Sequence, residues 1–209
     1  MRIGIIGAGN VGGALASAAT AAGHEVTVTA THQEHAAKVA EQTGARVAPD
    51  TAEAVRGAHV AVLAVPAAAA SEVLDQLGDA AVGLVIVDVT NPLNDTYSDL
   101  TTSGTSHIEE LAARAPQANL VKAFNTILAS RLGTPSEDGQ PLDGFYAGDD
   151  AAAKDTVAQL LGSLGFRPID AGGLRMARSL EELGFLNISL NARNGWPWQS
   201  GWKLVGPTA

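Results

Sequence analysis

Gly7-Ala8-Gly9-Asn10-Val11-Gly12 constrains this chain more than any other segment. The run follows the apolar residues 2–6 and opens a stretch of helical composition at residues 11–22. A G-x-G-x-x-G loop between a strand and a helix has a physical reading. The first glycine permits the tight turn, the second lets the backbone approach a pyrophosphate, and the third lets helix and strand pack closely. Unpaired amides at the helix start, aided by the helix dipole, bind the negative charge. The loop therefore predicts a dinucleotide site involving Gly7, Gly9, Asn10, Val11 and Gly12.

The rest of the chain continues this pattern of short apolar runs and alanine-rich helical stretches, which predicts an α/β fold. Strands are expected at residues 2–6, 25–29, 59–65, 84–87 and 119–124, with a short one near Val47. Helices are expected at 11–22, 33–43, 106–114, from about 150 to 164, and from about 174 to 190. Residues 145–147 and 167–169 read as late strands, and residues 91–105 and 133–141 as polar loops. The predicted architecture is a Rossmann-type, doubly wound, mostly parallel sheet with a small C-terminal helical portion and tail. Residues 1–147 are expected to form the NAD(P)-binding domain, and 148–209 a substrate-side portion that closes the cleft.

Composition narrows the partners. The chain has 46% apolar and 17% charged residues and a formal charge of -9, without a basic cluster. Nucleic acid and anionic membrane both need clustered Lys and Arg, so a small-molecule redox substrate is expected instead. With no cysteine there is neither a disulfide nor a thiolate metal site, and a cytoplasmic location is expected. No membrane span or signal peptide is predicted, because long apolar runs are missing. The five histidines lack metal-ligand spacing, so no metal is expected.

The end of the second predicted strand selects the dinucleotide. An NAD site places Asp or Glu there for the ribose hydroxyls, whereas this chain has Thr29, Ala30, Thr31 and His32. Two hydroxyls and an imidazole can hydrogen-bond a 2′-phosphate, so NADP(H) is favoured over NAD(H). The alternative is that these are solvated residues at a strand end.

From end to end the chain resembles the NADPH-dependent coenzyme F420 reductase family. The resemblance rests on residues 5–12, Gly23-His24-Glu25-Val26, Val65-Pro66, Val121-Lys122-Ala123-Phe124-Asn125-Thr126, Ala147-Gly148-Asp149-Asp150 and residues 165–181. It implies a Rossmann domain with a C-terminal portion closing a cleft, in which nicotinamide and a deazaflavin stack for hydride transfer. Coenzyme F420 or a flavin would then be the co-substrate, and a homodimer is expected. Family members carry a Ser-Arg pair after the second strand, where this chain has Ala30-Thr31-His32.

Hydride transfer to a flavin-like ring needs stacking and exclusion of water more than a side-chain acid. Val65, Pro66, Asn91 and Ala123 are expected along the cofactor groove. Asn125 and Thr126 either contact the nicotinamide amide or cap the next helix. Lys122 is either a proton donor or solvated. His107 faces the cleft or solvent, with solvent the favoured reading. Trp196, Trp198 and Trp202 call for burial, by docking on this domain or at a dimer interface bordering the cleft. Arg175 and Arg178 either bind an anionic substrate or are solvated. Two further functions compete: NADPH-dependent reduction of a small imine, ketone or other metabolite, which requires a proton donor, and a redox sensor that binds the dinucleotide without turnover.

Overall fold

The computed structural model describes residues 1–208. Its strands are β1 (Arg2–Ile6), β2 (Glu25–Thr29), β3 (Arg46–Val47), β4 (Val60–Leu63), β5 (Val85–Asp88) and β6 (Asn119–Ala123). A hairpin, β7 (Ser136–Glu137) and β8 (Gln140–Pro141), precedes β9 (Asp143–Gly148) and β10 (Arg167–Asp170). The helices are α1 (Asn10–Ala21), α2 (Gln33–Thr43), α3 (Thr51–Val55), α4 (Ala67–Leu77), α5 (His107–Arg114), α6 (Ala151–Ser163) and α7 (Ala177–Asn194).

Eight strands form one sheet in the order β10-β9-β6-β5-β4-β1-β2-β3. Pairing is parallel throughout except between β6 and β9. Side chains alternate between the two faces with the period of a pleated strand. Ile3, Ile5, Val60 and Val62 join one core with Leu15 of α1, Val39 of α2 and Leu160 of α6. Ile6, Ala61 and Leu63 join the other with Leu74 of α4 and Leu111 of α5. Both faces are therefore covered, as a parallel sheet requires. Strand order reverses between β1 and β4, which puts the crevice of a doubly wound sheet beyond their carboxyl ends.

The predicted 133–141 loop contains the β7–β8 hairpin, turning at Asp138-Gly139. That Asp-Gly pair is itself a hairpin signal. The sheet also continues past residue 147: β10 extends it, and α6 packs on β9 and β10. Asp150 caps α6 by accepting from the Ala153 amide at 2.7 Å.

Because β9 runs against β6 in the register Ala123 to Tyr146, the start of β9 lies on the edge formed by the carboxyl ends of the parallel strands. The tail docks there. The Asp143 amide donates to the Trp202 carbonyl at 2.9 Å, and the Leu204 amide donates to Asp143 Oδ2 at 2.6 Å. Trp202 packs against the cluster of Phe145, Ala147 and Leu180. Docking on this domain does not cover the other two tryptophans: within one chain Trp196 and Trp198 remain 43% and 45% exposed. The chain turns outward at Gly195 (φ 62°), and Trp198 itself has φ 58°, its carbonyl accepting from Ser130 Oγ.

Candidate functional site

The β1–α1 connection places the three glycines in three different surroundings. Gly7 has φ 114°, and a Cβ there would stand 2.2 Å from the Ala64 carbonyl oxygen. At Gly12 a Cβ would come within 1.9 Å of the Gly7 carbonyl oxygen. Gly9 differs: its φ of -79° suits any residue, and a Cβ would meet nothing within 4 Å. Gly7 and Gly12 thus serve packing, while Gly9 leaves open space. Helix α1 starts at that space without a side-chain cap or an acidic residue in its first turn, so its free amides face a ready anion site. Geometry, backbone and charge all fit a pyrophosphate.

A cleft of about 850 Å³ opens from this loop. Gly7 and Gly9 form its floor with Val65 and Pro66 after β4, and Thr29, Ala30, Thr31 and His32 form the wall beyond β2. Sequence reasoning missed other wall residues, notably Gln33, His35, Asp50 and Glu72. Thr29 is buried and its hydroxyl lies 3.4 Å from Gln33 Nε2. Thr31 and His32 are exposed. Asn10 and Val11 form the first turn of α1 beside the cleft and are not among its walls.

Ala123 is a correction. It is fully buried in the core of the sheet and presents no face to a ligand. The next residue, Phe124, is also buried and has φ 63°, a conformation that costs a non-glycine residue about 1–2 kcal/mol. This strained turn delivers Asn125 to the carboxyl edge of the sheet. Asn125 does not cap a helix there. Its Nδ2 donates to Asn91 Oδ1 at 2.9 Å and to the Leu180 carbonyl at 2.8 Å, while Asn91 Nδ2 donates back to the Asn125 carbonyl at 2.8 Å. Helix α7 approaches this pair so closely that a Cβ at Gly184 would stand 2.7 Å from Asn91 Oδ1. Asn125 Oδ1, Thr90 Oγ1 and Thr126 Oγ1 are buried without partners, and such groups call for one.

Lys122 is the second correction, because it is neither solvated nor a free proton donor. Its side chain is fully buried, and Nζ reaches Asp88 Oδ2 and the Thr90 carbonyl at 2.7 Å and Glu181 Oε1 at 2.8 Å. Two ammonium hydrogens go to Asp88 and the Thr90 carbonyl, and the Glu181 carboxylate adds a second counter-charge at ion-pair distance. Asp88 also accepts from the Thr90 amide, and Glu181 from the His107 amide, so the cluster is enclosed by donors. Its role is to tie α7 to β5 and β6. Asp88 ends a strand of otherwise apolar residues, which was the available signal for a buried counter-charge.

His107, favoured as solvent-facing, is 8% exposed, with Nε2 buried and unpartnered. Burial follows from α5 docking its first turn against Glu181. The capping box between Ser106 and Glu109 fixes that turn. Arg178 is not free for substrate. Both its Nε and Nη2 donate to Glu109, whose carboxyl is held well below the usual range, at about 2, chiefly by this guanidinium and then by Ser106. Among the described residues no group of three or more His, Asp and Glu is placed to hold a metal ion, and no helix is long and apolar enough to cross a membrane.

Comparison with known proteins agrees with this geometry. The family described as NADP oxidoreductase, coenzyme F420-dependent, matches residues 2–92. The chain is 32% identical to an F420-dependent NADP reductase of Methanothermobacter marburgensis, covering 93% of this chain and 94% of that protein. It is also 31% identical to Metalloreductase STEAP3 of Rattus norvegicus over 87% of its own length, but spans about a third (36%) of that protein. A solved structure from Arthrobacter sp. FB24, provisionally named an F420-dependent NADP-reductase, superposes with a TM-score of 0.87 at 30% identity, covering 98% of this chain and all of that one. This end-to-end similarity in sequence and fold, together with a glycine loop that leaves space for a pyrophosphate, shows that the chain belongs to the coenzyme F420-dependent NADP oxidoreductase family.

Proposed function

We propose that this protein transfers hydride between NADP(H) and a flat redox ring, the deazaflavin coenzyme F420 or a flavin. The observation that carries the proposal is the open space at Gly9, at an uncapped helix start, in a chain matching a named F420-dependent NADP reductase along nearly all its length. When bound, the nicotinamide supplies or accepts the hydride. The chain's own residues bind and orient. Gly9 and the α1 amides hold the pyrophosphate, and Val65 and Pro66 line the groove toward the next strands. Asn125, with an unmet acceptor beside Asn91, is assigned to the nicotinamide amide.

Reduction of an imine or ketone would need a proton donor positioned at the substrate, and Lys122 is instead fully buried between Asp88 and Glu181. The substrate-side portion is assigned to residues 148–209, through α7 and the tail, and the active form to a homodimer. Leu186, Trp196 and Trp198 support the dimer, because they leave large apolar side chains exposed on α7 and just beyond it. A cytoplasmic location belongs to the same reading, since a cysteine-free chain needs no oxidising compartment.

The test concerns the tryptophans. The double variant Trp196→Ala/Trp198→Ala should keep its NADPH affinity in calorimetry and lose at least about tenfold in turnover with coenzyme F420, because the dimer seam to which these two side chains are assigned borders the acceptor side of the cleft. Unchanged turnover would place the acceptor elsewhere.

A further inference from the structure

The cleft wall that faces a 2′-phosphate has an unusual source of positive charge. Among the described residues that line the cleft there is no Lys or Arg, and His32 and His35 are the groups able to become cationic. They lie one turn apart at the start of α2, both exposed, with ring centroids 5.5 Å apart in an edge-on arrangement. His32 is the residue that caps α2, yet it has extended backbone and no side-chain cap bond; the His35 amide turns back to the His32 carbonyl at 3.0 Å, which leaves the Gln33 and Glu34 amides of this helix of 11 residues beside the rings. Gln33 does not compete for a ligand. Its Nε2 is committed to the Ala30 carbonyl at 3.1 Å and the Pro49 carbonyl at 3.0 Å.

We propose that His32 and His35 form an imidazole pair that reads the 2′-phosphate of NADP(H) and makes the preference for NADP(H) over NAD(H) depend on pH. The proposal rests on the assignment of NADP(H) above. Imidazole is the side chain that changes charge between pH 5 and 8. The fixed charges around the pair are largely acidic. Glu34 Oε1 lies 3.7 Å from His32 Nδ1, and Asp50 and Glu72 line the cleft from the start of α3 and from α4. Asp50 is engaged by the Glu53 amide and Glu72 by Gln76. Lys38 and Glu41 lie further along α2, and Arg46 on β3, outside the cleft walls.

With both rings charged, a phosphate meets two cationic donors and free helix amides, which is the strong kind of hydrogen bond. With both rings neutral, each keeps one N–H, the acidic groups remain, and the wall repels a dianion. The preference for the 2′-phosphate therefore falls as pH rises through the imidazole range. A phosphate monoester itself gains its second charge near pH 6, so the comparison starts at pH 6.5, where the phosphate is already largely a dianion.

The experiment uses the whole protein and calorimetry with adenosine 2′,5′-bisphosphate and adenosine 5′-monophosphate as probes, and with NADPH and NADH, at pH 6.5 and 8.5. The ratio of bisphosphate to monophosphate affinity should fall about tenfold across the window, the difference between a charged and a neutral hydrogen bond. In His32→Asn/His35→Asn the ratio should be low at both pH values, with NADH affinity unchanged. A ratio that does not move with pH while NADPH is still preferred would overturn the imidazole pair and leave the NADP(H) assignment standing. Equal affinity for NADPH and NADH at both pH values would overturn that assignment itself.

Discussion

Gly9→Val should yield a folded protein that binds NADPH at least about 100-fold more weakly, a loss of roughly 2.7 kcal/mol. Glycine serves two different ends in this loop. A side chain at Gly9 meets no protein atom and its backbone conformation is ordinary, so the fold has no reason to fail. The β-branched group would instead fill the space in which the pyrophosphate meets the α1 amides. Gly7→Val and Gly12→Val make the contrast, because there the new Cβ runs into carbonyl oxygens at 2.2 and 1.9 Å. Those variants should lose stability along with binding. Circular dichroism and calorimetry on the three proteins give the comparison, and undiminished NADPH affinity in folded Gly9→Val would end the phosphate-loop assignment.

The second large effect is on stability. Lys122→Ala should destabilise the fold by about 3–5 kcal/mol, the usual cost of leaving buried partners of a salt bridge without their counter-charge. Here Asp88 and Glu181 would both be stranded, at 0% and 1% exposure. Denaturation by urea reads the loss directly. A proton-donor role predicts a different result, namely native stability with turnover abolished. Retention of native stability by Lys122→Ala would contradict the structural role assigned to this cluster.

These two sites also mark how far the sequence could be read. The strand-glycine-helix context of residues 2–22 is local, so the fold class and the phosphate loop were visible in it. Helix ends were visible for the same reason: Gly44 stops α2 in a left-handed conformation, and Asp150 caps α6. Lys122 was not legible, because its partner Glu181 sits on α7 and no local pattern announces a pairing across 59 residues. His107 was misjudged for the same reason, its environment being set by α7 docking on α5. The antiparallel placement of β9, which brings the tail to the ligand edge, is likewise a property of the topology and of no single segment. His35 was within reach, since it follows His32 by one helical turn, but it mattered only once the cleft showed both rings on one wall.

The central claim is that hydride passes between NADPH and a deazaflavin on this protein, and isotope transfer tests it most directly. The protein is incubated with coenzyme F420 and NADPH carrying two deuterium atoms at C4 of the nicotinamide, in ordinary water, and the reduced product is examined by mass spectrometry. The account predicts one deuterium per molecule of reduced F420, formed at the rate at which NADPH absorbance disappears. Reduced F420 without label, or no reduction while NADPH binds normally, would contradict it.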